Sequence, residues 1–304
     1  MKIFMTGGRG FLGSVLLPVL RAAGHEVTIL TRMTTSPAGT DPGVTWITGD
    51  PVSPGAWQDR LLDHDVVINL AGASIFTRWS SRARRRIYES RILTTRNVAG
   101  VLNSPARRVS LLLNASAVGY YGFHASDTID ELRPQGRGFL AEVTAGWEKE
   151  ALRAAEAGVR VVLCRFGVVL GKGGGAFPRM LAVFRRGAGS RLGRGDQWVS
   201  WIHTLDLAGA LVHLMKIPDM NGAVNLTSPY PVTNAELTRC LNRSLHKRVL
   251  LPAVPGFMLR MAWGPFADTL LKGQRVVPER LLRSGFKFCF PTLAEAFTDL
   301  VGPT

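Results

Sequence analysis

A chain of 304 residues, 46% hydrophobic and 19% charged, can bury a full core, which excludes both a small stapled scaffold and a disordered arm. Its three cysteines, Cys164, Cys240 and Cys289, are far apart and form no CxxC pair, which excludes a disulfide framework or zinc cluster and fits a reducing cytoplasm. The formal net charge of +15 raises nucleic acid, anionic membrane surfaces and acidic small molecules as partners.

KIFMTG (2–7) reads as an apolar strand, FLGSVLLPVLRAAG (11–24) as a helix ended by Gly24, and EVTILTR (26–32) as a second strand. The apolar run after Lys2 breaks between Thr6 and Gly10, and no later run reaches membrane-spanning length, so a soluble, uncleaved protein is expected. VTWITGD (44–50) and DVVINLAG (65–72) are the third and fourth strands. A helix from about Ser80 to Asn103 leads to RRVSLLLNASAV (107–118), and one from about Gly138 to Ala157 leads to RVVLCRFGVVL (160–170). Strands of nearly unbroken Val, Ile and Leu alternating with helices predict a parallel sheet covered on both faces, a doubly wound α/β architecture.

After Leu170 come the glycine-rich GKGGG (171–175), mixed short elements, a helix at 205–216, a strand at 222–228, a helix at 233–246 and a last helix near TLAEAFTDLV. The predicted division is a dinucleotide-binding core over 1–170. Residues 171–304 form a smaller α/β substrate domain, some of whose segments return to the sheet. The cleft between the two is the expected ligand site.

MTGGRGFLG places Gly7, Gly10 and Gly13 between a strand and a helix, with Arg9, Phe11 and Leu12 among them. The first glycine permits a sharp turn, the second a close approach of backbone to pyrophosphate, and the third close helix–strand packing. A merely tight turn is the alternative. At the end of strand two, residues 27–40 contain no Asp or Glu and offer Thr31 and Arg32. With Arg9, this favours a 2'-phosphate, and so NADP(H) over NAD(H). Asp50 is a candidate for the adenine amino group or an ordinary turn residue. NLAGAS puts Leu70, Ala71 and Gly72 where strand four meets a cofactor.

TGGRGFLG, NLAGAS, NASAVGYYG, RFGVVLG and WVSWIHTLDLAGAL, in that order, resemble the extended short-chain dehydrogenase/reductases. NLAGASIFTRW with SRILTTR, FLAEVTAGWEKEA and GQRVVPERLLRSGFKF resemble the atypical, epimerase-like branch of that superfamily, the NAD-dependent epimerase/dehydratase-like family. The resemblance covers nearly the whole chain. It implies a Rossmann-type domain, a C-terminal substrate domain and NADP(H), and its motifs add Arg91 and Phe166 to the cofactor side. The superfamily sets a serine or threonine beside a Tyr-x-x-x-Lys on the next helix, whose lysine lowers the pKa of the proton-carrying tyrosine. Anchoring that helix on Glu148 puts Leu140 at the tyrosine position and Thr144 at the lysine position, and neither can do that chemistry.

Ser116 then stands as the superfamily's serine, with capping of the strand end as the alternative. Tyr120 and Tyr121 are the nearest phenols, for proton transfer or for packing under the cap. Glu142 is a weaker acid, and His203 reads as a structural residue at a helix start. Seven arginines fall between Arg78 and Arg96, read either as a solvated helix face or as an anion site using Arg78, Arg82 or Arg91. GKGGG reads as a mobile substrate loop or a plain solvent loop. No metal site is expected. The sequence therefore predicts an NADP(H)-dependent oxidoreductase or epimerase-like enzyme for a small anionic substrate, monomeric or homodimeric, with a catalytically silent NADPH-binding sensor as the other reading. No recognition helix or base-stacking pattern accompanies the charge, so no specific nucleic acid and no membrane are expected.

Overall fold

The computed structural model describes residues 1–33, 41–247 and 251–302. Seven strands form one sheet: β1 (Lys2–Thr6), β2 (Glu26–Thr31), β3 (Val44–Thr48), β4 (Val66–Asn69), β5 (Leu111–Ala117), β6 (Arg160–Phe166) and β7 (Gly222–Leu226). Their order is β7-β6-β5-β4-β1-β2-β3 and every pairing is parallel. Successive side chains of a strand point to opposite faces, and here both faces are apolar. Ile3, Met5, Ile68 and Leu113 join the core on one side, and Phe4, Val67 and Leu112 the core on the other.

Helices α1 (Phe11–Ala22), α2 (Trp57–Leu61), α3 (Ser81–Leu102), α4 (Phe139–Glu156), α5 (Phe177–Arg185), α6 (Thr204–Met215), α7 (Asn234–Ser244) and α8 (Gly256–Trp263) follow in chain order. Leu16 and Leu20 of α1 and Leu207 and Leu211 of α6 cover the first face. Trp57 of α2, Val98 and Leu102 of α3 and Ala151 and Ala154 of α4 cover the second. This is a Rossmann-type fold. β7, from the second half of the chain, extends the sheet beyond β6. The sequence reading had no counterpart for α2, α5 and α8, which are too short for a periodic pattern to stand out.

The second part has its own core, with Phe177, Trp201, Leu241 and Phe297 at its centre. Thr233 and Thr292 close capping boxes at the starts of α7 and of the helix Leu293–Val301. The C-terminal part also reaches back to the segment that follows β5. Arg275–Val276 pair with Thr128–Ile129, and Gln274 Nε2 donates to Val118 O at 3.0 Å, which holds the turn after β5. Among the described residues no helix is long and apolar enough to cross a membrane, and no group of His, Cys, Asp and Glu is gathered to hold a metal ion.

Candidate active site

The chain leaves β1 at Thr6 and turns at Gly7, whose φ of +71° favours glycine. Gly10 N–H donates to Gly7 O at 2.9 Å and closes the turn before α1. A Cβ on Gly7 would lie 2.8 Å from the Leu70 carbonyl carbon, and one on Gly13 would lie 2.4 Å from Gly8 Cα. These glycines therefore let the exit of β4 and the first turn of α1 close around one turn. Gly10 caps α1 without a side-chain bond, and no acid stands in the first turn, so the exposed N–H groups offer partial positive charge to an anion. Leu12 packs against the core below.

Two cations stand beside this turn. The Arg9 guanidinium lies 5.6 Å from the Trp46 ring centroid on β3, and Arg32 is exposed at the end of β2. Thr31 is buried and accepts from Met33 N–H at 3.2 Å. No acid occupies 27–33, and the remainder of the predicted acid-free stretch, 34–40, lies outside the described residues. Asp50 accepts from Val52 N–H at 3.1 Å, so one of its oxygens serves the turn. Phe11 lays its ring on the 171–175 loop: a Cβ on Gly171 or Gly174 would sit 2.8 Å from it. Gly171, Gly174 and Gly175 leave room for this close approach.

Two rungs of polar side chains cross the sheet where its strands end. In the first, Thr6, Asn69 and Asn114 are adjacent in register on β1, β4 and β5. Thr6 Oγ1 donates to Asn69 Oδ1 at 2.6 Å, and Asn69 Nδ2 donates to Asn114 Oδ1 at 2.7 Å and to Thr95 Oγ1 at 2.8 Å. Trp147 Nε1 on α4 donates to the same Thr95 hydroxyl at 2.7 Å, and Ala71 N–H donates to Thr6 Oγ1 at 3.2 Å. In the second rung, Ser116, Arg165 and Asn225 are adjacent on β5, β6 and β7. Arg165 forms a two-point pair with Glu148 of α4, Nε to Oε1 and Nη2 to Oε2, both at 2.8 Å. Burial opposes the guanidinium charge there, but the Glu148 carboxylate outweighs it and raises the Arg165 pKa.

Ser116 and Tyr121 belong to this second rung. Ser116 Oγ donates to Glu148 Oε1 at 2.6 Å. A hydroxyl has one proton, so beyond Glu148 Ser116 offers only lone pairs in this arrangement. Tyr121 is fully buried, with its hydroxyl donating to Asn225 Oδ1 at 2.7 Å and accepting from Arg165 Nη1 at 2.9 Å. Burial pushes its pKa up to about 12, against the opposing pull of Arg165. Of the two readings open for Tyr121, this burial and full pairing favour the packing one. Tyr120, in contrast, is half-buried; Arg165 Cζ lies 3.6 Å from its ring centroid, and among the described residues its hydroxyl has no partner. At the dyad positions, Leu140 packs toward Gly119, and the Thr144 hydroxyl donates back to Leu140 O at 2.7 Å within α4.

A family model described as "NAD dependent epimerase/dehydratase family" matches residues 3–226. The chain belongs to that family. A second model, a domain of unknown function (DUF1731), matches residues 254–300, which carry α8 and the C-terminal segments. The epimerase family protein SDR39U1 homolog, chloroplastic, of Arabidopsis thaliana is 39% identical over 99% of this chain and 87% of its own length. Epimerase family protein YfhF of Bacillus subtilis is 38% identical over 99% and 98%. The crystal structure of human epimerase family protein SDR39U1 with NADPH superposes with a TM-score of 0.87 at 31% identity, covering all of both chains.

Of the other predicted residues, Leu70 and Phe166 each pack against the small cluster of Ile92, Ala115 and Trp147. Arg91 donates to Ala73 O and Ile87 O, both at 3.0 Å, and its guanidinium sits 3.2 Å from where a Gly72 Cβ would be. Burial pulls the Arg91 pKa down to about 10, and among the described residues no carboxylate pairs with it. His203 caps α6, its Nδ1 accepting from Leu205 N–H at 3.3 Å, and stacks on Phe290, in line with the structural reading. Glu142 is exposed on the first turn of α4. The residues that sequence reasoning missed are those of the first rung and the Glu148–Arg165 pair. Their signal was present as isolated polar residues at the same level of otherwise apolar strands.

Proposed function

We propose that this protein is an NADP(H)-dependent oxidoreductase or epimerase-like enzyme acting on a small anionic substrate. The observation that carries this reading is the pairing of a complete dinucleotide turn, flanked by Arg9 and Arg32 with no acid at 27–33, with an intact polar rung at the neighbouring strand ends. The NADPH bound to the human relative supports the choice of cofactor. The Gly7 turn and the α1 N-terminus would hold the pyrophosphate, Arg9 and Arg32 the 2'-phosphate, and Leu70, Ala71 and Gly72 would flank the nicotinamide half. When bound, NADPH supplies a hydride. Ser116 accepts a hydrogen bond from cofactor or substrate, and Glu148 holds its proton away from the cleft. A carbonyl reduced there also needs a proton on oxygen, and Tyr120 is assigned it because its hydroxyl is the uncommitted phenol beside Ser116's strand. Residues 171–304 are assigned the substrate side, and three free cysteines fit a reducing compartment such as the cytoplasm.

Single-turnover oxidation of bound NADPH by a panel of aldehydes, ketones and quinones tests this reading. Turnover should fall on the order of a hundredfold in Tyr120→Phe, a typical worth of one positioned proton donor. Leu140 and Thr144 at the dyad positions favour a second reading, an NADPH-binding sensor. Tight NADPH binding with no oxidation by any panel member would establish the sensor in place of the enzyme.

A further inference from the structure

The loop after β4, the starts of α3 and α4 and the segment after α8 meet in one aromatic cluster. Trp79 and Phe266 are buried at its centre, their ring centroids 5.6 Å apart. Phe76 meets Phe266 edge-on at 6.0 Å, and Phe139 meets Trp79 edge-on at 5.1 Å. Leu140, at the position of the superfamily's proton-carrying tyrosine, packs into the same cluster. The cluster therefore adjoins the part of the cleft where a reacting substrate would lie, and Phe76, Phe139 and Leu140 each keep part of their surface uncovered.

Arginines from three elements rim this cluster. Arg84 Cζ of α3 lies 5.2 Å from the Phe139 ring centroid, and Arg179 Cζ of α5 lies 5.4 Å from that of Phe76. Arg78 Nε comes within 3.6 Å of the point a Gly264 Cβ would take, two residues from Phe266. Among the described residues none of the three has a carboxylate partner, whereas Arg85 and Arg96 on α3 pair with Glu89 and Glu150. Arg84 Nε is moreover buried without a hydrogen-bond acceptor. A solvated arginine face leaves no such atom, because water reaches every donor. A guanidinium held against a ring keeps its N–H edges free for a carboxylate or phosphate, and ring stacking fixes the direction of that fork.

We infer that this arginine-rimmed aromatic cluster anchors the substrate, and that it takes a carboxylate or phosphate carried on an aromatic or similarly flat apolar body. The inference rests on the cleft being the reaction site and narrows its substrate. A free sugar fits poorly, since the surface beside Leu140 is Phe and Trp and offers few partners for a ring of hydroxyls.

Calorimetric titration of the full-length protein, with and without NADP+, tests this with naphthoate and naphthyl phosphate against the neutral naphthamide and against acetate and inorganic phosphate. Naphthoate or naphthyl phosphate should bind at least about tenfold more tightly than naphthamide or the small anions, and Arg78→Gln and Arg179→Gln should each weaken it about tenfold. Arg186→Gln, at the exposed far end of α5, should leave the affinity unchanged. Equal affinity for naphthamide, an unchanged affinity in both Arg78→Gln and Arg179→Gln, or no binding of either aromatic anion overturns the inference. A protein that takes naphthoate in this charge-dependent way yet binds no NADP(H) supports the anchor while overturning the cofactor assignment, so the two failures are separable.

Discussion

Ser116, Arg165 and Asn225 occupy one level of three neighbouring strands, and Glu148 and Tyr121 reach that level from α4 and from the turn after β5. Each member satisfies another, so the cost of removal depends on what is left unpaired. Arg165→Met leaves the Glu148 carboxylate buried without its cation and should destabilise the fold by about 3–5 kcal/mol. Tyr121→Phe removes one hydroxyl from Arg165 and Asn225 and should cost about 1–3 kcal/mol, with NADPH affinity unchanged. Denaturant titration reads both; a smaller loss for Arg165→Met than for Tyr121→Phe would contradict this ordering. At this scale the sequence was partly legible. The loss of the dyad could be read directly, because Leu140 and Thr144 lack the chemistry whatever their setting. Which of two adjacent tyrosines is buried could not, because Tyr120 and Tyr121 differ only in which way a short turn points them, and the turn is held by Gln274, 156 residues along the chain from Val118.

The βα turn and α1 are the elements whose form follows most directly from composition. Gly7 has a positive φ, and Gly13 has no room for a Cβ, so Gly13→Ala should force the start of α1 away from β1. The expected result is a stability loss of about 1–3 kcal/mol, from overpacking, together with weakened NADPH binding. Gly174→Ala meets the Phe11 ring at 2.8 Å and should also weaken NADPH binding, by moving the first residue of α1. If Gly174→Ala left NADPH affinity intact, the loop would not support the turn. The seven sheet strands and the long helices were legible because each has an apolar period several turns or residues long. The junction of Phe11 with the 171–175 loop was not, since nothing local in GKGGG reveals which ring its glycines accommodate.

Across the whole molecule, each part holds a buried histidine whose ionisation is set by that burial. His203 at the start of α6 is buried, and its pKa is held below the ordinary 6.5 although Asp299 lies 3.3 Å from its Nε2. His64 is shifted in the same direction by burial. A base with a lowered folded-state pKa binds its proton more readily when unfolded, so its contribution to stability is full above about 6.5 and declines as pH falls below that. Thermal unfolding should therefore occur at lower temperature at about pH 5.5 than at about pH 7.5. His203→Asn, which keeps a capping oxygen and removes the titration, should shrink that difference. An unchanged difference would assign the acid sensitivity elsewhere. The most direct measurement of all is the quench of protein fluorescence on titrating NADPH and NADH into the wild-type protein and into the double variant Arg9→Gln/Arg32→Gln. NADPH should bind at least about tenfold more tightly than NADH, and the double variant should lose most of that preference while still binding NADH. Equal affinity for the two cofactors in the wild type, or no binding of either, would contradict the assignment of this turn to NADP(H).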